Sequence, residues 1–516
     1  VYEVSAGQNR GNGPRWFEGR AMLLERPPVR ATTSTGIVII GSGFAGLGMA
    51  IKLRAAGIRD FVILERAHDI GGTWRDNRYP GCACDIPSEL YSFSFARNPK
   101  WSRVFPTQPE IHEYLRACVD KYDLERHIRY DSDVIEARYD AERVLWQVET
   151  RGGTRFEASV LISGMGGLSN PAMPQISGLA EFAGPQFHSA RWDHDVDLAG
   201  KRVAVIGTGA SAIQFVPEIA PSVGHLSLFQ RTPPWIVPKI DGPVDPRKSL
   251  LLKYLPGYAW LHRTSIYLTH EVRALGFTVD PKLLRTVEKI AKSHIKRQIA
   301  DPALRATVTP NYRLGCKRIL ISNDYFPALT RANVAVVTSD IARVEDDAVV
   351  TSDGSRHVVD VIIYGTGFRA QDGLAPVRIV GEGGRTLDEA WSDGMEAYLG
   401  TSVAGFPNLF TLVGPNVGLG HNSMVFMIES QVAYVLDALR QLRKRGARAL
   451  DVLPQVQRSF NDEIRAKTKK TVWMSGCRSW YLDKNGRNTS LWPGFTFDFR
   501  RRTRRIEPSR YRWIGR

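Results

Sequence analysis

The chain has 516 residues, too many for one compact core, so two or three domains are expected. With 43% hydrophobic and 24% charged residues it reads as a globular protein, and no run approaches the roughly eighteen apolar residues of a membrane-spanning helix. The net charge of +16 suggests an anionic partner, but residues 500–516 hold eight Arg against one acid, Glu507, and so supply +7 of it; the excess is largely that of a C-terminal tail, read as a solvated arm.

Cys82, Cys84, Cys118, Cys316 and Cys477 are too few and too unevenly spaced for a disulfide framework, which predicts a reducing compartment. No basic segment followed by an apolar one opens the sequence, so no secretory signal is expected and the protein reads as cytoplasmic.

Residues 1–35 are polar, rich in Gly, Arg and Pro, and read as a surface arm. Ile37 to Ile40 is then an apolar run ending in Gly41, Gly43 and Gly46, followed by helical spacing through Leu53. A second run, Phe61 to Leu64, ends in Glu65, nineteen residues past Gly46, where an acid can accept hydrogen bonds from a ribose. The pattern predicts strand, turn and helix, with the pyrophosphate of a dinucleotide on the amides and positive end of the helix. Gly71 to Trp101 is aromatic-rich and irregular, as functional segments inside compact domains often are. A helix near Gln108 to Tyr122 and strands at Leu145 to Thr150 and Ser159 to Ser163 complete the first part.

The pattern returns at Arg202 to Ile206, with Gly207, Gly209 and Ala212 and a helix through Ile219. The next strand, His225 to Phe229, ends in Gln230 and Arg231, and a cation there suits the 2′-phosphate of NADPH. Helical patterns fill Leu250 to Ala300; one has Asp280 as N-cap, Pro281 at its start and an apolar stripe of Leu284, Val287, Ala291 and Ile295. Strands are expected near Val334 to Val337, Val358 to Tyr364 and Leu409 to Val413, and a long helix from near Asn422.

The expected architecture is therefore α/β, with two Rossmann-like dinucleotide-binding domains, the second inserted in the first. Residues 36–167 and 365–499 form the FAD domain and 168–364 the NADPH domain, with a helical insertion at about 245–305. The arm (1–35) and basic tail (500–516) flank them. Hydride then passes from nicotinamide to flavin across the boundary. A flavin that relays electrons to a cysteine pair needs suitably spaced thiols, whereas Cys82 and Cys84 alternate on an extended chain and point apart. No His or Cys partner is spaced to make a metal site of them.

Three stretches carry a resemblance. Phe182, Gly184, His188, Trp192 and Asp193 fall at FxGxxxHxxxW(P/D). Gly71, Gly72, Trp74, Tyr79, Pro80, Gly81 and Asp85 fall at GGxWxxxx(F/Y)PGxxxD. Lys317 and Arg318 stand in LGCKRILISNDYFPAL, and a weaker echo lies at Ser479-Trp480. The chain thus resembles type I Baeyer-Villiger monooxygenases, a family of class B flavoprotein monooxygenases. The resemblance implies FAD near Gly72, Thr73, Trp74 and Asp85, Lys317 beside Arg231 at the 2′-phosphate, Trp480 near the cofactor and His188 linking the cofactor domains. It implies NADPH- and O2-dependent oxidation of ketones, with aldehydes a second class, to esters or lactones through a flavin C4a-peroxide. An anion in a dry pocket needs a charge that cannot be neutralised; Arg318 fits that role and Asp85 that of its orienting partner. The expected partners are a small carbonyl compound and O2, without nucleic acid or stable membrane insertion. Two other readings are an oxygenase of sulfides or amines, separable by product, and a flavoprotein that binds nucleic acid or membranes through its basic tail.

Overall fold

The structure, a computed structural model, describes residues 31–372, 374–477 and 479–515. The expected arm lies outside the described residues as far as residue 30; from Ala31 onward the chain is already strand. In chain order, β1 (Ala31–Ile40), α1 (Phe44–Ala55) and β2 (Phe61–Leu64) are followed by α2 (Gln108–Lys121), β3 (Ile128–Arg129), β4 (Val134–Asp140), β5 (Leu145–Thr150) and β6 (Thr154–Ser163). A second series holds β7 (Gln186–His188), β8 (Arg202–Ile206), α3 (Ala212–Ile219), β9 (His225–Phe229), α4 (Pro246–Tyr254), α5 (Tyr258–Val272), α6 (Leu284–Gln298), β10 (Val334–Val337) and β11 (Val361–Tyr364). The last part holds β12 (Arg378–Val380), β13 (Leu409–Thr411), α7 (Met424–Arg445), β14 (Ala449–Val452), α8 (Thr496–Thr503) and β15 (Tyr511–Ile514).

The first sheet runs β12-β4-β5-β6-β1-β2-β3, with β13 added against β6. The second runs β10-β9-β8-β11-β7 and is wholly parallel. Strands buried on both faces read as unbroken apolar runs, which is why β2 and β8 were legible. β6 needs ten residues because its start pairs with β5 and its end, Leu161 to Ser163, with β13. The polar stretch Ala31 to Thr35 becomes strand by pairing with Thr154 to Ala158. β4 was not expected; in it Val134, Ala137 and Tyr139 are buried and the residues between are not. The run expected over Val358 to Tyr364 is two strands, separated where Asp360 turns to accept from Arg202 N (2.7 Å).

Two expectations are corrected. The basic C-terminus is not a solvated arm: α8 buries Phe499, and β15 pairs antiparallel with β14. Three of its arginines are engaged within the fold, Arg502 with Glu463 (2.6 Å), Arg510 with the Tyr398 hydroxyl (2.8 Å) and Arg512 with Asp451 (3.1 Å). This leaves the tail-binding reading without an arm. Likewise Cys316 and Cys477 form a disulfide with Cα atoms 6.2 Å apart, which removes the cysteine argument for a reducing compartment.

Tyr511 is 4% exposed and its hydroxyl bonds that of Tyr434. Tyr511→Ala is expected to cost about 3–5 kcal/mol, seen as a clear fall in the urea midpoint; a loss below about 1 kcal/mol would make the terminal strand dispensable.

Candidate active site

Three glycine segments meet where β1 ends. Gly41 has φ +94°, and a β-carbon on Gly46 would lie 1.9 Å from the Gly41 carbonyl oxygen. Gly164, after β6, donates to Ile40 O (2.8 Å), and the Gly71 amide donates to Ser42 O (3.0 Å), laying the Gly71–Gly72 turn on the first. No side chain caps α1 at Gly43, whose missing β-carbon would meet nothing closer than 3.9 Å. This open, uncapped helix start fits a pyrophosphate. Gly72 opens a one-turn helix, Thr73 to Asp76, whose buried Trp74 donates to the Tyr91 hydroxyl (3.1 Å). Glu65 accepts from Ser42 N and Oγ, Ala67 N and Arg75, so protein donors fill its four acceptor positions. Burial alone would raise its carboxyl, but Arg75 and Ser42 hold it below the usual range. Glu65 thus braces the glycine turn.

The second turn repeats the device. Gly207 has φ +108°, and its β-carbon would lie 2.5 Å from Gly365 O; Gly365 donates to Ile206 O (2.9 Å). Ala212 is tolerated at the third position because it faces Gly365. α3 has no side-chain cap, and a β-carbon on Gly209 would meet only Gly365 O, at 3.9 Å. His188 ends β7 beside Tyr364, accepts from Ala190 N through Nδ1 (3.0 Å) and stands edge-on to Phe368. It therefore packs against the Gly365–Phe368 segment that leaves the second sheet.

The two folds are joined near one ion pair. Arg318 Nε and Nη2 both donate to Asp85 Oδ2, at 3.0 and 2.5 Å. The pair lies deep in the molecule, yet its side chains keep 34% and 27% of their exposure, so it lines open space. Asp85 raises the Arg318 guanidinium further above its already high value. Gln214 of α3 pins the Asp85 segment, bonding Ala83 N (3.1 Å), Ala83 O (3.2 Å) and the Tyr79 hydroxyl (3.2 Å). Pairing of Ile236 with Leu320 brings the Arg231 strand exit alongside Lys317 and Arg318. Burial and the like charge of Arg231 both push Lys317 down. Cys82 and Cys84 are free and buried, and burial pushes the Cys82 thiol up to about 12, which suits no thiolate relay.

A family profile described as pyridine nucleotide-disulphide oxidoreductase matches residues 38–249. A Baeyer-Villiger monooxygenase of Streptomyces coelicolor is 51% identical over 477 residues, 92% of each chain. One of Pseudomonas aeruginosa is 50% identical over 95% of this chain and 93% of its own. The chain belongs to the Baeyer-Villiger monooxygenase family. Among solved structures, an oxidized steroid monooxygenase bound to NADP is 32% identical with a TM-score of 0.83, over 93% of this chain and 100% of that one. Cyclohexanone monooxygenase from Rhodococcus sp. Phi1 bound to NADP+ is 29% identical with a TM-score of 0.85, over 94% and 100%.

In this Baeyer-Villiger monooxygenase several residues around the pair carried no signal in the sequence. Gln214 is one. The fully buried Tyr481, near enough to Arg318 and Asp85 to feel both charges, has a hydroxyl without a protein partner. His270 of α5 also feels Asp85. The Cys316–Cys477 bond ties the residue before Lys317 to the segment carrying Trp480, whose half-exposed ring stands edge-on to Tyr481. α7 starts at Met424, later than Asn422, and Ser423 caps it through Val425 N (3.2 Å).

Burial pushes His188 and His270 down to about 4 from an ordinary 6.5. Between those values the unfolded chain binds protons that the folded chain refuses. Stability is therefore full above about pH 6.5, falls as pH drops toward 4 and then levels. From pH 7 to pH 5 each histidine is expected to remove about 2 kcal/mol. Urea titrations of His188→Asn at both values should show the loss shrink by that amount; an unchanged loss would place the charge-sensitive group elsewhere.

Proposed function

We propose that this Baeyer-Villiger monooxygenase holds FAD at the α1 turn, with residues 36–167 and 365–499 around it, and NADPH at the α3 turn, within residues 168–364. Its substrate is a ketone, with aldehydes a second class, converted to an ester or lactone beside Arg318. Reduced flavin, once bound and supplied with O2, provides the activated oxygen. Everything else is binding and electrostatics by the chain. Arg318 holds a permanent positive charge where negative charge develops on the reacting oxygens, in space where water screens it poorly. Asp85 fixes the guanidinium so that no reorganisation is needed during the reaction. The observation that carries this reading is the Arg318–Asp85 pair itself, deep in the fold but open to a cavity.

The NADPH assignment is supported by Arg231 and Lys317, like charges near enough to repel, an arrangement that a dianionic 2′-phosphate stabilises. Glu65 and the Gly72–Trp74 turn would shape the FAD cradle, His188 packs the connecting segment, and Trp480, beside Tyr481 and near the disulfide, would stand close to the bound cofactor.

The purified enzyme, offered a cyclic ketone and a thioether with NADPH and air, is expected to form the ester; sulfoxide without ester would move the assignment to sulfur oxygenation. Arg318→Ala should leave flavin reduction measurable while ester formation falls by about 10²–10³-fold. Ester yield within a few-fold of the parent would remove Arg318 from its role. For Arg231→Ala, the NADPH Kd should rise at least about tenfold and the NADH Kd little; equal changes would mean that the 2′-phosphate is read elsewhere.

A further inference from the structure

α5 keeps an apolar side away from the core. Its inner side is mixed: Ile266 and Tyr267 pack on the core, Tyr267 stacked on Phe426 at 4.9 Å, while Arg263 donates to Glu89 O and Ser92 O (2.9 Å), His262 meets Glu89 (3.2 Å), and the buried Glu271 accepts from Thr496 Oγ1 (2.8 Å) and Asn422 Nδ2 (2.6 Å). Its outer side carries Trp260, Leu261, Leu268 and Val272, all 55–62% exposed, at spacings that form one stripe. The adjoining α4 adds Leu250, Leu251 and Tyr254 with Leu255 behind them, 43–67% exposed. Among the described residues, thirteen of the seventeen exposed large hydrophobics lie between Ile240 and Ile290. A soluble helix ordinarily places its apolar stripe inward, so this concentration marks a surface that something covers.

Charge selects the occupant. Residues 246–297 contain eleven Lys and Arg against three acids; Arg263 and Lys248 are engaged by the Glu89 segment and Glu271 is buried, which leaves nine basic groups against two acids. Two copies of this face set against each other would oppose like charges. An anionic surface would gain from both components, with Trp and Leu entering the apolar layer and the exposed Arg247, Lys282 and Arg285 available to the headgroups. The helices have nine and fifteen residues, and no described helix is long and apolar enough to cross a membrane, so contact lies in the plane of the interface.

We infer that α4 and α5 form a docking face for the surface of an anionic lipid bilayer, with the outer stripe of α5 seated among the lipid headgroups. The face lies outside the catalytic site, so its test is independent of the reaction assigned above. The full-length FAD-loaded enzyme is sedimented with phosphatidylcholine vesicles with and without phosphatidylglycerol, beside the variant Trp260→Ser/Leu261→Ser/Leu268→Ser. The parent is expected to sediment with the anionic vesicles, less so at high salt. The triple variant should partition at least about tenfold more weakly while keeping the parent's FAD content and thermal midpoint. Failure of the parent to sediment, equal binding to neutral vesicles, or undiminished binding by the variant would each overturn the inference. So would a dimer in solution that the variant converts to monomer, since the face would then be an interface between copies.

Discussion

A guanidinium cannot escape the interior by losing its proton, so Arg318 can stand inside this molecule only with an opposite charge held against it. Asp85 is that charge, and it comes from a segment 233 residues earlier in the chain. Each partner is braced on its own side. Gln214 of α3 holds the Tyr79–Ala83 segment, and the Ile236–Leu320 pairing and the Cys316–Cys477 bond hold the stretch around Arg318. The pair therefore depends on contacts between the first nucleotide fold, the second and the C-terminal region together. If any one of them loosened, an unbalanced cation would be left in a poorly solvated cavity.

The two cradles show how closely backbone contact governs sequence. In each, a later strand sends a glycine, Gly164 or Gly365, against the helix start, so the turn is complete only when distant chain returns to it. At the first turn the closest approach falls on Gly46, where a β-carbon would sit inside the Gly41 carbonyl, and only glycine fits. At the second the room made by Gly365 accommodates the Ala212 methyl, so the glycine pattern relaxes without changing the turn.

Charge is distributed with the same economy. In the arginine-rich C-terminus Arg502, Arg512 and Arg510 engage Glu463, Asp451 and Tyr398, and Arg512 lies in the strand pair formed with β14. The helical insertion does the reverse. α5 turns its ionisable groups inward, toward Glu89, His421 and the region of Asp85, and leaves its apolar side outward. One helix thus lends polar groups to the interior and an apolar face to the exterior.

The amino-acid sequence by itself determined the two nucleotide folds, their order and the family motifs, because these are written in local spacing: apolar runs, glycines at turns, an acid or a cation at a strand end. It also paired Asp85 with Arg318, from the motif and the need for a counter-charge. Only the tertiary structure decided that Thr496–Thr503 is helix and Tyr511–Ile514 strand, that Ala31 to Thr35 extends β1, that Cys316 meets Cys477, and that Gln214, His270 and Tyr481 gather near the pair. Each of those outcomes depends on a partner far away in the chain, and periodicity and propensity are silent about distant partners. The outward face of α5 escaped for the same reason: an amphipathic pattern specifies two sides of a helix, and only packing says which side faces in.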